Sequence, residues 1–237
     1  MHHFRLCILS AVCCLCPLLS RGQEKPAVEV GTSLEVMSNY VWRGMATGHP
    51  FAAAALDLGW HGLAAEAYGL SGLGLGGDLK EIDFSLSYTL GGLSIGVNDY
   101  WDTNASVPYF NFRKQETGHV LEAFLSYDFG PLSAGWYTHV AGNDWREDGS
   151  RGWSSYFEVK SAEVELASCN WQLQLGITPW ASDYYGTKGF AVCNAGIGVS
   201  KNLIETELFT LPLVLQLTAN PATRNLYFII GFRLTTL

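Results

Sequence analysis

Strict alternation of apolar and polar residues over an unusually long stretch, residues 28–44, constrains this chain more than any other feature. The apolar phase contains Val28, Val30, Leu34, Val36, Tyr40 and Trp42. The other phase contains Glu29, Ser33, Glu35, Asn39 and Arg43. Because successive side chains of a β-strand point to opposite faces, the pattern predicts one strand with an apolar face and a charged face. Its length, about twice that of a strand in a soluble sheet, is typical of a strand that crosses an outer membrane.

The same alternation recurs at least ten times along the chain, and its connections alternate in length. Short turns are predicted at 61–62, 91–92, 130–131, 168–170 and 201–203. Longer loops are predicted at 44–50, 73–80, 103–118, 143–152, 181–188 and 219–225. Bacterial outer-membrane barrels have an even number of strands, short periplasmic turns and longer outer loops. The sequence therefore predicts an all-β fold, a single antiparallel transmembrane β-barrel of about 12 strands over residues 23–237, with both termini periplasmic.

Composition and the first residues agree with this fold class. Charged residues make up 15% of the chain, below the roughly 25% of soluble domains. No run of 18 apolar residues follows the leader, so a transmembrane helix is not expected. Residues 1–22 have the pattern of a cleaved signal peptide, and their four cysteines lack the context that lipidation favours. The formal net charge of −8 argues against nucleic-acid binding.

A family resemblance rests on the segment SNYVWRG at 38–44, followed by Pro50 and Asp57. The segments GLAAEAYG, EIDFSLSYT and LSIGVNDYWD follow in order at 62–69, 81–89 and 93–102. Over these residues the chain resembles the bacterial porin family labelled Gcw_chp (TorF-like). The resemblance implies an outer-membrane location and a channel role, with the solute undefined.

The polar phase of the strands supplies the candidate pore-lining residues. They are Glu29, Glu35, Asn39, Arg43, Asp57, Glu66, Asp83, Asn98, Glu122, His139 and Glu158. An acidic lining predicts a lumen that favours cations. The alternative is a salt-bridged interior that only fills a small barrel, because buried charges must pair. Arg43 has two possible roles here: it could hold a carboxylate bidentately or bind an anionic solute.

One row of polar residues resembles a hydrolytic site. If residues 130–131 centre their hairpin, Glu122 and His139 face each other across neighbouring strands, with Asn98 and Ser154 one strand away on each side. Such a set could serve an outer-membrane hydrolase, although geometry rather than composition defines a catalytic site. No metal-ligand spacing and no dinucleotide or phosphate motif is present, so the sequence predicts no cofactor.

These observations predict a non-enzymatic outer-membrane porin that lets small solutes diffuse passively and favours cations. Membrane lipids and small solutes are the expected partners, no nucleic acid is expected, and the oligomeric state is left open. The alternatives are a non-conducting barrel that anchors the envelope or presents its loops to partners, and, less favoured, the hydrolase.

Two further expectations concern aromatic residues and cysteines. The alternation places Tyr40, Trp42 and Trp101 in an outward belt near the outer rim, and Trp60 and Phe129 in a belt near the inner one. Antiparallel pairing places Cys193 opposite roughly Gly176, facing lipid and about 23 Å from Cys169. A disulfide requires Cα atoms within about 7 Å, so we expect both cysteines to be free.

Overall fold

The chain is an antiparallel β meander in which each long strand pairs with its neighbours in sequence. The computed structural model describes residues 28–46, 48–74, 80–102 and 107–236; the expected signal peptide, residues 1–22, lies outside them. The strand segments are β1 (Glu29–Met37), β2 (Val41–Trp42), β3 (Met45–Ala46), β4 (Phe51–Trp60), β5 (Leu63–Gly72), β6 (Lys80–Leu90), β7 (Leu93–Asp102), β8 (His119–Asp128), β9 (Leu132–Gly142), β10 (Ser155–Ser161), β11 (Val164–Leu166), β12 (Cys169–Thr178), β13 (Ala191–Glu205), β14 (Phe209–Asn220) and β15 (Asn225–Thr236). No helix among the described residues is long and apolar enough to span a membrane.

The sheet closes into a barrel because its first and last strands pair. β1 pairs with β4 on one side and with β15 on the other. At the opposite wall β10 pairs with both β9 and β12, and β11 continues β10 along the same edge of β12. The wall therefore has twelve strands, and the predicted fold class is confirmed. Full closure leaves no unpaired strand edge, which a membrane-spanning sheet requires.

A β-bulge lies between β10 and β11, near Ser161. Lys160 faces Gln174, whereas Val164 faces Trp171. Four residue steps on one strand therefore match three on the other, and one residue is left unpaired between β10 and β11.

The apolar phase of the strands forms the outer face of the barrel. In β1, Leu34 and Val36 are 56% and 50% exposed, whereas the side chain of Glu35 between them is 11% exposed. Exposed apolar side chains recur at alternate positions on the other strands, as in Phe84, Leu86 and Tyr88 of β6. An outer face of this kind suits contact with lipid, with the polar phase turned to the lumen.

The first predicted strand is shorter than its alternation indicated. β1 ends at Met37 and β4 begins at Phe51, and the residues between them include the small hairpin of β2 and β3. Trp42 stacks on Tyr185, with ring centroids 6.0 Å apart, and Tyr40 packs edge-on against Phe51 at 5.3 Å. The prediction that Tyr40 and Trp42 belong to an outward belt is therefore wrong, because the chain turns into the lumen before it reaches them.

The other residues of the two predicted aromatic belts differ in how exposed they are. Trp60 and Phe129 are 54% and 58% exposed, as outward residues should be. Trp101 is partly covered, because Tyr109 of the following loop packs against its ring at 5.3 Å. The wall therefore carries outward aromatic residues, but the outer belt is not composed as predicted.

The predicted turn at 201–203 is also misplaced. β13 runs on to Glu205 and β14 begins at Phe209. Asn202 pairs with Pro212 and Ile204 with Leu211, so the residue between the first members of these pairs is bulged out. The polar run that resembled a turn is a continuation of the strand through a bulge.

Both cysteines of the barrel are free, as predicted: Cys169 is partly exposed and Cys193 is buried. We expect native barrels to react with a maleimide first at Cys169, and at Cys193 only after unfolding, because its side chain is 1% exposed. Peptide mapping without reductant measures both labels. A peptide bridged between residues 169 and 193 would contradict the strand pairing.

Candidate functional site

The hairpin of β2 and β3 extends into the lumen with Arg43 and Gly44 at its tip. Their φ angles are +49° and +79°, the signs that a two-residue type I′ turn requires. Glycine adopts this backbone freely, whereas Arg43 is strained there. A strained residue at the tip of an inward hairpin marks this segment as a candidate functional element.

Arg43 makes a bidentate ion pair with Glu122 on the opposite wall. Its Nη1 and Nη2 donate to Oε2 and Oε1 of Glu122 at 2.5 and 2.9 Å, and Nη1 also donates to the Tyr185 hydroxyl at 2.7 Å. Burial raises the pKa of the Tyr185 phenol well above its ordinary value, so this phenol remains neutral. The planar guanidinium is suited to such a fork, and the pair lies in a site that excludes water: the side chains are 8% and 0% exposed.

Three aromatic rings surround the guanidinium. The Arg43 Cζ lies 4.4 Å from the ring centroids of Trp42 and Tyr137 and 4.6 Å from that of Tyr156. Contacts of this length to ring faces stabilise a cation, more so when it is desolvated. This arrangement of three rings around Arg43 was not predicted from the sequence. The available signal was that Tyr137 and Tyr156 lie in the polar, inward phase of their strands.

Glycines on the wall make room for these rings. A Cβ on Gly176 would lie 2.0 Å from the Tyr156 hydroxyl, and one on Gly135 would lie 2.8 Å from the Tyr137 ring. The two rings therefore lie along the wall over glycine backbone, and the middle of the lumen is left for the guanidinium.

The row predicted from the hairpin register is present around Glu122. Asn98 and His139 are the cross-strand partners of Glu122. Asn98 Nδ2 and the Tyr100 hydroxyl each donate to Glu122 Oε1 at 3.0 Å, and His139 Nε2 lies 3.5 Å from Oε2. Glu122 and His139 are fully buried, so this carboxylate is used by the protein itself.

The geometry of this row does not support a hydrolase. The Ser154 hydroxyl donates to Asp144 at 2.7 Å and accepts from Ser182 at 2.7 Å. Ser154 contacts His139 through the backbone, where the Ser154 carbonyl accepts from the His139 amide. A nucleophile needs a base within hydrogen-bond reach and access to substrate. The hydroxyl of Ser154 is bonded to the Asp144 carboxylate rather than to the His139 ring, and Ser154, at 1% exposed, is not accessible to substrate.

The hairpin tip also contacts the wall at β13 and β14. The Gly44 carbonyl accepts from Asn220 Nδ2 at 3.0 Å. A Cβ on Gly44 would lie only 1.9 Å from the Cys193 carbonyl oxygen. Only glycine fits this close approach of two backbones.

The position of Cys193 corrects the prediction that it faces lipid. Gly176 pairs with Asn194 and Ile177 pairs with Val192, so Cys193 is the extra residue of a bulge. The bulge turns it inward, where it packs with Tyr156 and Tyr185.

Arg233 and Lys160 in the lumen are also paired with carboxylates. Arg233 Nη2 lies 2.8 Å from Glu35 Oε2, and Lys160 Nζ lies 2.7 Å from Glu158 Oε1. Tyr68 donates to the second Glu35 oxygen at 2.9 Å. These pairs are the salt-bridged interior that one interpretation of the sequence anticipated.

Three predicted lining carboxylates differ from these. Asp57 and Glu66 are direct cross-strand partners on β4 and β5, and Asp83 is buried on β6 with no hydrogen-bond partner at Oδ1. Within the described part of the chain, no basic side chain lies within ion-pair distance of any of the three. No group of three His, Cys, Asp or Glu side chains among the described residues is arranged to hold a metal. One wall of the lumen therefore carries acidic groups that have no basic partners among the described residues.

The two remaining predicted lining residues, Glu29 and Asn39, lie at the margins of the lumen. Glu29 is exposed at the first position of β1. Asn39 lies in the link to the hairpin, where its Oδ1 accepts from the Gly48 amide at 3.0 Å. Asn39 therefore shapes the hairpin loop, whereas Arg43 crosses the lumen.

Comparison with solved structures identifies the architecture. The chain is similar to the structure of a NanC porin, with a TM-score of 0.51 and 10% sequence identity over 87% of this chain and 99% of that one. The chain has a porin-type barrel fold. It also matches the COG4313 outer membrane channel from Pseudomonas putida F1, with a TM-score of 0.44 and 12% identity over 90% of this chain and 96% of that one. No protein-family model and no curated protein matches the sequence.

A matched glycine pair tests whether the hairpin tip is seated in the porin-type barrel as described. Gly44 and Gly48 share a φ of +79°, but a Cβ on Gly48 would meet nothing within 4 Å. Gly48→Ala should cost about 1 kcal/mol of unfolding free energy from backbone strain. Gly44→Ala should cost about 1–3 kcal/mol more, because its Cβ overlaps the wall.

Urea unfolding in phospholipid vesicles measures both free energies. Equal losses for the two variants would show that Gly44 does not approach the Cys193 backbone.

Proposed function

We propose that this protein is an outer-membrane channel through which small solutes diffuse passively, with a preference for cations. The observation that carries the proposal is the acidic wall of Asp57, Glu66 and Asp83, which has no basic partners in the described structure and lies inside a closed barrel. Passive transport depends on lumen width and on the charge that lines it.

The charge balance of the lumen supports the preference for cations. Arg43, Lys160 and Arg233 are each neutralised by a carboxylate. The three carboxyl groups of the acidic wall have no basic partners in the described structure, so no basic side chain neutralises the ones that are ionised. Rings and rows of Asp and Glu attract cations and exclude anions.

The apolar outer face supports insertion in an outer membrane, with lipids as its surroundings. Ser33 of β1 pairs with Thr235 of β15, so the start of β1 and the end of β15 lie at the same end of the barrel. That end also has the short turns, which face the periplasm in outer-membrane barrels. We therefore propose that both termini are periplasmic.

A second candidate function is a non-conducting barrel. It is favoured by the complete burial of Glu122, His139 and Tyr156 at the level of the inward hairpin. In this alternative the hairpin closes the lumen permanently and the barrel acts through its surface.

Conductance of the refolded residues 23–237 in planar bilayers tests the proposal. In a KCl gradient we expect a reversal potential of the sign that K⁺ selectivity produces. Asp57→Asn with Glu66→Gln should move it toward zero, because the acidic wall loses its charge.

A control double variant removes the same two negative charges from residues outside the lumen. Glu163→Gln with Glu207→Gln alters two exposed residues outside the strands, and we expect the parental reversal potential. Anion selectivity of the parent, or an equal shift in both pairs, would contradict the role of the acidic wall. A barrel that never conducts would support the second candidate.

A further inference from the structure

We infer that the hairpin of β2 and β3 is a displaceable plug, and that the Arg43–Glu122 ion pair is the latch that holds it across the lumen. The inference rests on the proposed channel function. It adds that the structure described above is the closed state of that channel.

The barrel wall does not need the hairpin. Met37, the last residue of β1, pairs directly with Phe51, the first residue of β4. The chain therefore leaves the wall and returns to it at one place. Movement of the hairpin leaves the β1–β4 ladder intact and the barrel closed.

The hairpin is held together by its own contacts. Val41 pairs with Ala46 and Trp42 with Met45, and the Asn39 side chain accepts from the Gly48 amide across the base of the loop. Such a unit can move as one body about its two links to the wall.

The polar contacts at the tip are ones that water can replace, whereas the ring contacts of Trp42 and Arg43 favour the closed state. Glu122, Asn220 and Tyr185 hold the tip through polar groups. The attraction within a buried ion pair is largely offset by the cost of desolvating its charges. The closed state therefore gains little from the pair relative to an open state in which both charges are hydrated.

Departure of the plug would leave space rather than collapsed side chains. Tyr137 and Tyr156 lie along the wall over Gly135 and Gly176, so the volume between them is occupied by the guanidinium. Removal of Arg43 from this level vacates the space between these two rings, beside which Tyr185 of the β12–β13 loop stays packed on Tyr156.

A disulfide lock tests the plug with a native cysteine. Met45 on the hairpin packs against the cluster that contains Cys193. Met45→Cys in a Cys169→Ser background provides one partner on the plug and one on the wall. We expect oxidation to lower the bilayer current by roughly tenfold or more, because the covalent link removes the open population. Reduction should restore the current, and mass spectrometry establishes whether the 45–193 bridge has formed.

Two further variants complete the test. Met45→Ser in the same background cannot form the bridge, so its current should not respond to oxidant. Glu122→Gln weakens the latch and should raise the current above that of the parent, which gives a result even if the bridge does not form.

The outcomes separate the plug from the channel. If the 45–193 bridge forms and the oxidised barrel conducts like the reduced one, the plug is overturned. If no bridge forms, the plug is overturned by a Glu122→Gln current equal to the parental current. If the parent, the reduced lock variant and Glu122→Gln are all silent, the proposed channel function fails and the plug fails with it.

Discussion

A buried arginine in the middle of a barrel must be paired, and the local structure around the lumen follows from that requirement. Glu122 supplies the charge, and Trp42, Tyr137 and Tyr156 supply ring faces. Glycines under the tyrosines provide the space, and a bulge in β13 brings a backbone carbonyl against Gly44. Removing one partner of such a pair leaves an uncompensated charge in a dry site, which explains why residues far apart in sequence converge on one guanidinium.

The pairing also determines what charge the rest of the lumen presents. Each basic side chain that forms one of the lumen ion pairs, whether across the lumen or along its wall, neutralises one carboxylate. Asp57, Glu66 and Asp83 are left without basic partners in the described structure and give the wall its acidic character. The same hairpin that neutralises Glu122 also obstructs the passage beside this wall. In the proposed channel, closure and selectivity therefore come from different parts of the lumen.

Alternation allowed the strands and the barrel to be predicted, because a period of two records which residues face lipid on every strand. The pairing of Glu122 with His139 was predicted correctly, because a short turn fixes the register of a hairpin. The inward hairpin could not be predicted in this way. Tyr40 and Trp42 keep the phase of the preceding strand although the chain has turned inward, and the pair Arg43-Gly44 lacks the Asn-Gly signature of a tight turn. The orientation of Cys193 was missed for a similar reason, because one bulged residue reverses the faces that alternation assigns.

A double-mutant cycle on Arg43 and Glu122 tests most directly whether their ion pair organises the lumen. The free energy of unfolding in vesicles would be measured for Arg43→Met, Glu122→Gln and the double variant. Each single substitution should cost up to about 3–5 kcal/mol, because it leaves a buried charge without its partner, and less if movement of the hairpin lets water reach that charge. The double variant should cost clearly less than the sum, because no uncompensated charge remains. Costs that add within about 0.5 kcal/mol would show that the two residues act independently, and would contradict a lumen built around this pair.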